Sequence, residues 1–265
     1  VTDKFLLTKI ENHICTLTIN RPEKKNSLSL DLIELLQLTL KQLGEDDGIR
    51  AVILRGAGDE AFCAGFDIGS LPTQSKEDAD QRLKSLDQVE SLLQGLISFP
   101  VPAIAMLNGF AFGLGCELAM CCDIRIGAED IRMGMPAARL GLVYPWTGLQ
   151  RFIQCIGLQS TKEIFFTGRT YAGQRIKELG LVDYLVPGNE LEKFTCRLAE
   201  EIAGNAPLAL KGIKKVINLL TQSHRLDETR SSEVQAIFRA SLLSEDMREG
   251  QAAFLEKRQP RFKGK

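Results

Sequence analysis

The chain has 265 residues, 44% of them hydrophobic and 25% charged, and a net charge of −1. That length fits one large domain or one domain with an appendage, with apolar sequence enough for a core. The near-zero charge, single Trp and three Tyr offer neither a basic field nor stacking platforms, so nucleic acid is not an expected partner.

Seven cysteines are scattered, odd in number and mostly set in apolar runs, so they read as reduced core residues of a cytoplasmic protein. The two histidines, His13 and His224, lie far apart and Cys121-Cys122 lacks ligand spacing, so no metal site is expected. No apolar run approaches a membrane span and the first residues lack a signal-peptide pattern, so no membrane partner is expected either.

In chain order, Ile14 to Ile19 alternates apolar and Thr residues and predicts a strand. Residues 20–26, N-R-P-E-K-K-N, form a basic turn. Ser29 caps a helix from Leu30 to Leu43, closed by Gly44. Ala51 to Leu54 is a short buried strand. A-F-C-A-G-F-D-I-G follows at 61–69, and a charged helix is expected over Lys76 to Ile97, ended by Pro100 and Pro102. Ala103 to Leu107 is a buried strand, and short strands are expected at 123–127 and 131–134. Residues 135–141 form a loop or short helix and 142–146 an apolar loop. Helices follow at 147–156 and 160–166. Thr170 is expected to cap a short helix ending at Gly180, before a strand over 181–186. After residue 188 only helical patterns remain, at 189–203, 207–221, 226–243 and 245–257, with Pro207 and Ser244 suited to first-turn and N-cap positions. The chain therefore divides into a strand–helix core over 1–188 and a helical C-terminal region over 189–265.

The stretch that organises the chain is Asn108 to Asp123, N-G-F-A-F-G-L-G-C-E-L-A-M-C-C-D. It reads as a glycine turn between a buried strand and a helix whose first turn carries Glu117. Glycines permit close backbone approach, and a helix start offers unpaired N–H groups and a positive dipole end. Such a turn can hold a developing negative charge, with Glu117 beside it as a proton-transfer group. Equally, the turn can simply pack a helix against a strand, with Glu117 paired to a buried base.

No phosphate loop, no dinucleotide glycine fingerprint and no G-x-S-x-G nucleophile elbow is present. Two glycine turns remain, around Gly65 and around Gly113 to Gly115. With N-R-P-x-x-x-N-S-L at 20–28, A-F-C-A-G-F-D-I at 61–68, the stretch at 108–123, G-M-P-A-A-R-L-G at 134–141 and F-L-E-K-R-Q-P-R-F at 254–262, the sequence resembles the enoyl-CoA hydratase/isomerase (crotonase) family over its whole length.

The resemblance implies an α/β fold, a spiral of ββα turns followed by a helical C-terminal region that serves oligomerisation and covers the CoA site. It implies a homotrimer or dimer of trimers and an acyl-CoA thioester substrate, with coenzyme A entering only as part of that substrate. The thioester enolate would be held by the backbone N–H groups of Phe66 and Leu114, each such donor being worth about 3 kcal/mol. CoA would lie over Ala64, Asp67 and Ile68, with Lys24, Lys25 and Lys257 as phosphate or ribose partners. The acyl pocket would be lined by the segments 76–93 and 144–146.

Family hydratases use two glutamates. Glu117 matches one; Ala137 stands where the other would be. Tyr144, three residues after Gly141, resembles the methylmalonyl-CoA decarboxylases of the superfamily. The expected activity is hydration or isomerisation of an enoyl-CoA with a single glutamate. The alternatives are decarboxylation of a malonyl-type CoA ester, with Tyr144 orienting the departing carboxylate, and a CoA-binding member without catalysis.

Overall fold

The computed structural model describes residues 4–67, 76–221 and 242–263 together with 232, 236, 237, 239 and 240, the side chains of 76–84 apart. β1 (Leu6–Glu11) and β2 (Ile14–Ile19) form an antiparallel hairpin. Its two-residue turn, Asn12-His13, takes the left-handed φ values of 50° and 67° that match the strand twist. Only Leu6 of β1 is buried, so this edge strand lacks the alternation that betrays β2 in the sequence. α1 (Leu30–Gly44) begins at Ser29, whose hydroxyl accepts the Leu32 N–H at 3.4 Å, as predicted.

Three turns of strand, strand and helix follow. The first is β3 (Ala51–Gly56), β4 (Ala61–Cys63) and α2 (Lys76–Ile97). The second is β5 (Ala103–Leu107), β6 (Phe110–Phe112) and α3 (Leu114–Met120). The third is β7 (Ile124–Ala128), β8 (Arg132–Gly134) and α4 (Trp146–Thr167). Each turn gives its first strand to one sheet and its second to another. After β9 (Thr170–Ala172), α5 (Gln174–Glu178) and β10 (Tyr184–Val186), the sheet orders are β1-β2-β3-β5-β7-β10 and β4-β6-β8-β9. This is a crotonase-like spiral. Its strands β3, β5 and β7 are parallel and largely apolar because helices or the second sheet cover them.

Local pairing changes some sequence expectations. Thr170 does not cap a helix; it pairs with Gly134 across the antiparallel β8–β9 edge, and α5 starts after Gly173. The strand expected at 181–186 is confined to Tyr184–Val186. The two helices expected at 147–156 and 160–166 are present as the two parts of α4, separated where Gly157 takes a non-helical φ of 76° and ψ of 165°.

Beyond Val186 the described residues are helical or irregular: α6 (Leu191–Ala203), α7 (Pro207–Thr221) and α8 (Glu245–Leu255), the last capped by Ser244. Part of the helix expected at 226–243 lies outside the described residues, as does His224. α6 packs on β3, β5 and β7, and its Leu191, Ala199 and Ala203 belong to the same core cluster as the strands.

Asn26 locks the basic turn to the first spiral turn. It is fully buried at φ 55°, accepts the Arg21 N–H at 3.0 Å and donates to the carbonyls of Ala57 (3.0 Å) and Ala61 (2.7 Å). Asn tolerates the left-handed region, and its amide bonds two backbone carbonyls four residues apart. Asn26→Ala is expected to cost about 3 kcal/mol of stability, read as a lowered Tm in thermal unfolding. An unchanged Tm would remove Asn26 from this role.

Candidate active site

The site forms where the first two spiral turns cross. Gly65 sits at φ 100°, and a Cβ there would stand 2.6 Å from the Phe112 carbonyl oxygen and 3.3 Å from Leu114 N. A Cβ on Gly115 would stand 2.1 Å from the Cys63 carbonyl oxygen. Only glycine allows these two backbones to lie so close. The crossing brings the segment carrying Phe66 against the start of α3. The Leu28 N–H donates to Gly65 O and the Asp67 N–H to Leu28 O, so neighbouring peptides fix Phe66 in place. Among the described residues, neither the Phe66 nor the Leu114 N–H donates to a protein acceptor.

Glu117 lies one turn along α3 from Leu114, on the same face. It is 3% exposed. Tyr144 donates its hydroxyl to Glu117 Oε2 at 2.5 Å, and Arg151 Nη1 donates to Oε1 at 2.7 Å. Arg151 Nη2 reaches Glu90 on α2. Both sequence readings of Glu117 thus meet in one residue: it stands beside the candidate oxyanion donors, and it is paired to a buried base. Burial pushes its carboxyl above the ordinary value; Arg151 and the Tyr144 hydrogen bond pull it back, and Glu90 adds to the upward push. Burial and the neighbouring Glu117 carboxylate push the Tyr144 phenol well above its usual range, so it stays neutral.

Tyr144 is half-buried, its ring 5.3 Å from that of Phe165. Gly148 makes its place: a Cβ there would stand 2.6 Å from Tyr144 Cε1 and 2.7 Å from Glu117 Oε1. Ala137, buried at the start of a short 3-10 turn (Ala137–Leu140), brings no carboxylate.

Of the residues expected around CoA, Lys24, Lys25, Ala64 and Asp67 come together. The Ala64 N–H donates to Lys25 O at 3.0 Å. Lys25 Nζ, exposed, pairs with Glu60 at 2.9 Å and lies 5.6 Å from the Phe110 ring centroid. Asp67 faces Arg21, whose Nη2 is 3.4 Å away. Lys24 is exposed on the 3-10 turn Pro22–Lys24. Ile68 lies outside the described residues. Lys257 is exposed just past α8, and among the described residues no interaction joins it to the 21–28 or 61–67 segments. The side chains of 76–84, part of the expected acyl pocket, lie outside the description.

Arg151, Glu90 and Gly148 were not singled out by sequence reasoning. Arg151 stands between Thr147 and Gly148 on one side and Gln154 and Cys155 on the other along its helix face, so its sequence surroundings carry no mark of burial. Glu90 sits in a helix rich in charges and carries no such mark.

The two-sheet spiral and the donor-lined crossing beside a buried acid place the molecule in the crotonase class of folds. The sequence matches the enoyl-CoA hydratase/isomerase family over residues 9–265, and the chain belongs to that family of enzymes acting on CoA esters. Methylmalonyl-CoA decarboxylase of Escherichia coli (strain K12) is 33% identical over 254 residues, 96% of this chain and 95% of its own. A solved methylmalonyl-CoA decarboxylase in complex with 2-nitronate-propionyl-CoA superposes with a TM-score of 0.91 at 32% identity, covering 98% of this chain and 99% of that one. A solved enoyl-CoA hydratase from Bacillus anthracis gives 0.78 at 35% identity, with coverage of 98% and 100%.

Removing Arg151 tests the buried pair. Arg151→Met is expected to cost about 3–5 kcal/mol near neutral pH by stranding Glu117 as an uncompensated charge. With its folded pKa raised further, Glu117 contributes stability below its unfolded value of 4.5, lost as pH rises through the folded value. The gap in urea unfolding free energy between wild type and variant should therefore widen as pH rises from about 4.5. A gap that stays constant or narrows would place the loss elsewhere than on Glu117.

Proposed function

We propose that this enzyme decarboxylates a malonyl-type CoA thioester through an enolate. The observation that carries this reading is the 2.5 Å Tyr144–Glu117 hydrogen bond at a site where Ala137 replaces a second carboxylate. Syn hydration is served by an acid and a base acting on one water. Decarboxylation needs no base to start. The bond from Cα to the carboxylate breaks, carbon dioxide leaves, and the electron pair passes into the thioester as an enolate. Phe66 and Leu114 N–H groups would hold the enolate oxygen.

The phenol has one proton. While Glu117 is ionised, Tyr144 gives that proton to it. When Glu117 takes up a proton, it can donate to the Tyr144 oxygen, and Tyr144 can turn its own O–H to the substrate carboxylate. After carbon dioxide leaves, the same pair relays the proton to Cα and yields the acyl-CoA. The backbone likeness to the decarboxylase, higher than that to a hydratase of slightly greater identity, supports the reading.

Hydration or isomerisation with Glu117 alone is the second reading, favoured by the G-C-E motif. Lys24, Lys25, Ala64, Asp67, Ile68 and Lys257 remain the proposed CoA contacts. Leu208, Ile213, Val216, Ile217 and Leu220, exposed on α7, support assembly as a trimer or dimer of trimers through the helical region. Seven unpaired cysteines support a reducing, cytoplasmic setting. Among the described residues, no helix is long and apolar enough to cross a membrane.

Carbon dioxide release from methylmalonyl-CoA is the direct test. Wild type should release it, and Tyr144→Phe and Glu117→Gln should each lower kcat/KM about 10²-fold. No release, with rapid hydration of crotonyl-CoA instead, would replace this reading by the second. Ala137→Glu supplies the converse check. It should raise crotonyl-CoA hydration at least about 10-fold, since it restores the second proton-transfer group. Wild-type hydration already at the variant's rate would show that Ala137 is no obstacle.

A further inference from the structure

Glu90 stands on α2, outside every motif that carries the family resemblance, yet it is built into the site. Arg151 splits its fork between two carboxylates. Nη1 goes to Glu117 at 2.7 Å and Nη2 to Glu90 Oε1, while Nε, buried, has no partner among the described residues. Neither carboxylate therefore receives the two-pronged grip that makes Arg–carboxylate pairs strongest. Glu90 is fixed from its other sides: Gln94 Nε2 donates to Oε1 and Thr147 Oγ1 to Oε2, both at 2.9 Å. Its side chain is 33% exposed against 4% for Glu117, so water stabilises the Glu90 charge and not the Glu117 charge.

We propose that Glu90 is a positioning residue: by holding one arm of Arg151 it leaves Glu117 only half-neutralised and able to take up the proton that Tyr144 passes on. The guanidinium cannot lose its proton under these conditions, so the triad holds one positive charge against two negative ones. The member that accepts a proton to relieve the excess is the dry one, Glu117. The other groups facing Glu117 are Tyr144 from the loop, Cys116 on its own helix and Cys121 just beyond it. Burial keeps all three neutral, with the Cys116 thiol pushed up to about 12. Glu90 is faced by Arg151, Thr147 and Gln94. The charge balance at Glu117 is thus set by Arg151 and Glu90 alone among the described groups.

This inference rests on the proton-relay reading above, and its test has a readout that does not need turnover. The midpoint of Glu117 protonation is measured by infrared titration of the protonated-carboxyl stretch, assigned by its loss in Glu117→Gln. Glu90→Gln keeps the shape and the Thr147 and Gln94 neighbours but frees Arg151 for Glu117. It should move the midpoint down by about one pH unit. Glu90→Asp, which keeps the charge, should restore most of it. In carbon dioxide release the alkaline limb of the pH–rate profile should move down with the midpoint, because the protonated form is the active one. A midpoint unmoved in Glu90→Gln overturns the proposal, even if the Tm falls, since a merely structural residue would lower the Tm and leave the midpoint in place. A midpoint that moves while wild type releases no carbon dioxide supports Glu90 and rejects the decarboxylase reading instead.

Discussion

A carboxylate removed from water must be compensated, and the interior around Glu117 is arranged to do so. The cost of burying such an ion is several kcal/mol after relaxation, and it is recovered only with good geometry and satisfied hydrogen bonds. Glu117 obtains both from one guanidinium and one phenol. Arg151 is brought to the acid by α4, which begins at Trp146, two residues after Tyr144, and carries Gly148 where a larger residue would strike both Tyr144 and Glu117. The same guanidinium reaches α2. One buried charge thus ties α2, α3, the loop before α4 and α4 itself together, and the relative placement of phenol and acid follows from that tie.

The spiral brings α3 to this point. Each turn lays one strand in each sheet, so β4 and β6 are neighbours and the segments that leave them run side by side. At their ends Gly65 and Gly115 let backbone meet backbone at distances no side chain permits. The start of α3 contributes free N–H groups and a positive dipole end, and Glu117 sits within that first turn. Two fields of opposite effect therefore act at one place. The donors would favour negative charge on a bound thioester oxygen, as proposed above, while burial disfavours it on the Glu117 carboxylate. That separation suits a site where negative charge must accumulate on substrate and a proton must be held on protein.

Much of this was legible in the sequence because it rests on backbone requirements that leave residue marks. Gly65, Gly113 and Gly115 betray the crossing; Ser29 and Ser244 cap the helices expected of them; the buried strands β2, β3 and β5 follow from their apolar runs. Elements stabilised by partners distant in sequence were not legible. β1 is an exposed edge with one buried residue, β6 is hidden inside a glycine-rich motif, and Thr170 is a good N-cap by chemistry that instead pairs with Gly134. The site divides in the same way. Glu117 stands in a motif and Tyr144 three residues after one, but Arg151 reaches Glu117 across 34 residues of sequence and Glu90 reaches Arg151 across 61, and a single sequence does not record such pairings.

On the reading proposed above, Ala137 in place of a carboxylate would redirect the chemistry while the fold stays the same. With acids on both sides of a double bond, a site can split water between two carbons. With Ala137 on one side, what remains is an acid coupled to a phenol beside the crossing, which on the proposed reading would stabilise an enolate and then deliver a single proton. On the reading proposed above, such a site would favour a reaction in which the enolate forms by expulsion of a group, since among the described residues the one carboxylate beside the donors is already held by Arg151 and Tyr144. A substrate whose own carboxylate departs as carbon dioxide would meet that condition, its negative charge passing to the enolate oxygen. Proton transfer from Glu117 through Tyr144 would then neutralise the enolate and restore the carboxylate that Arg151 is placed to hold.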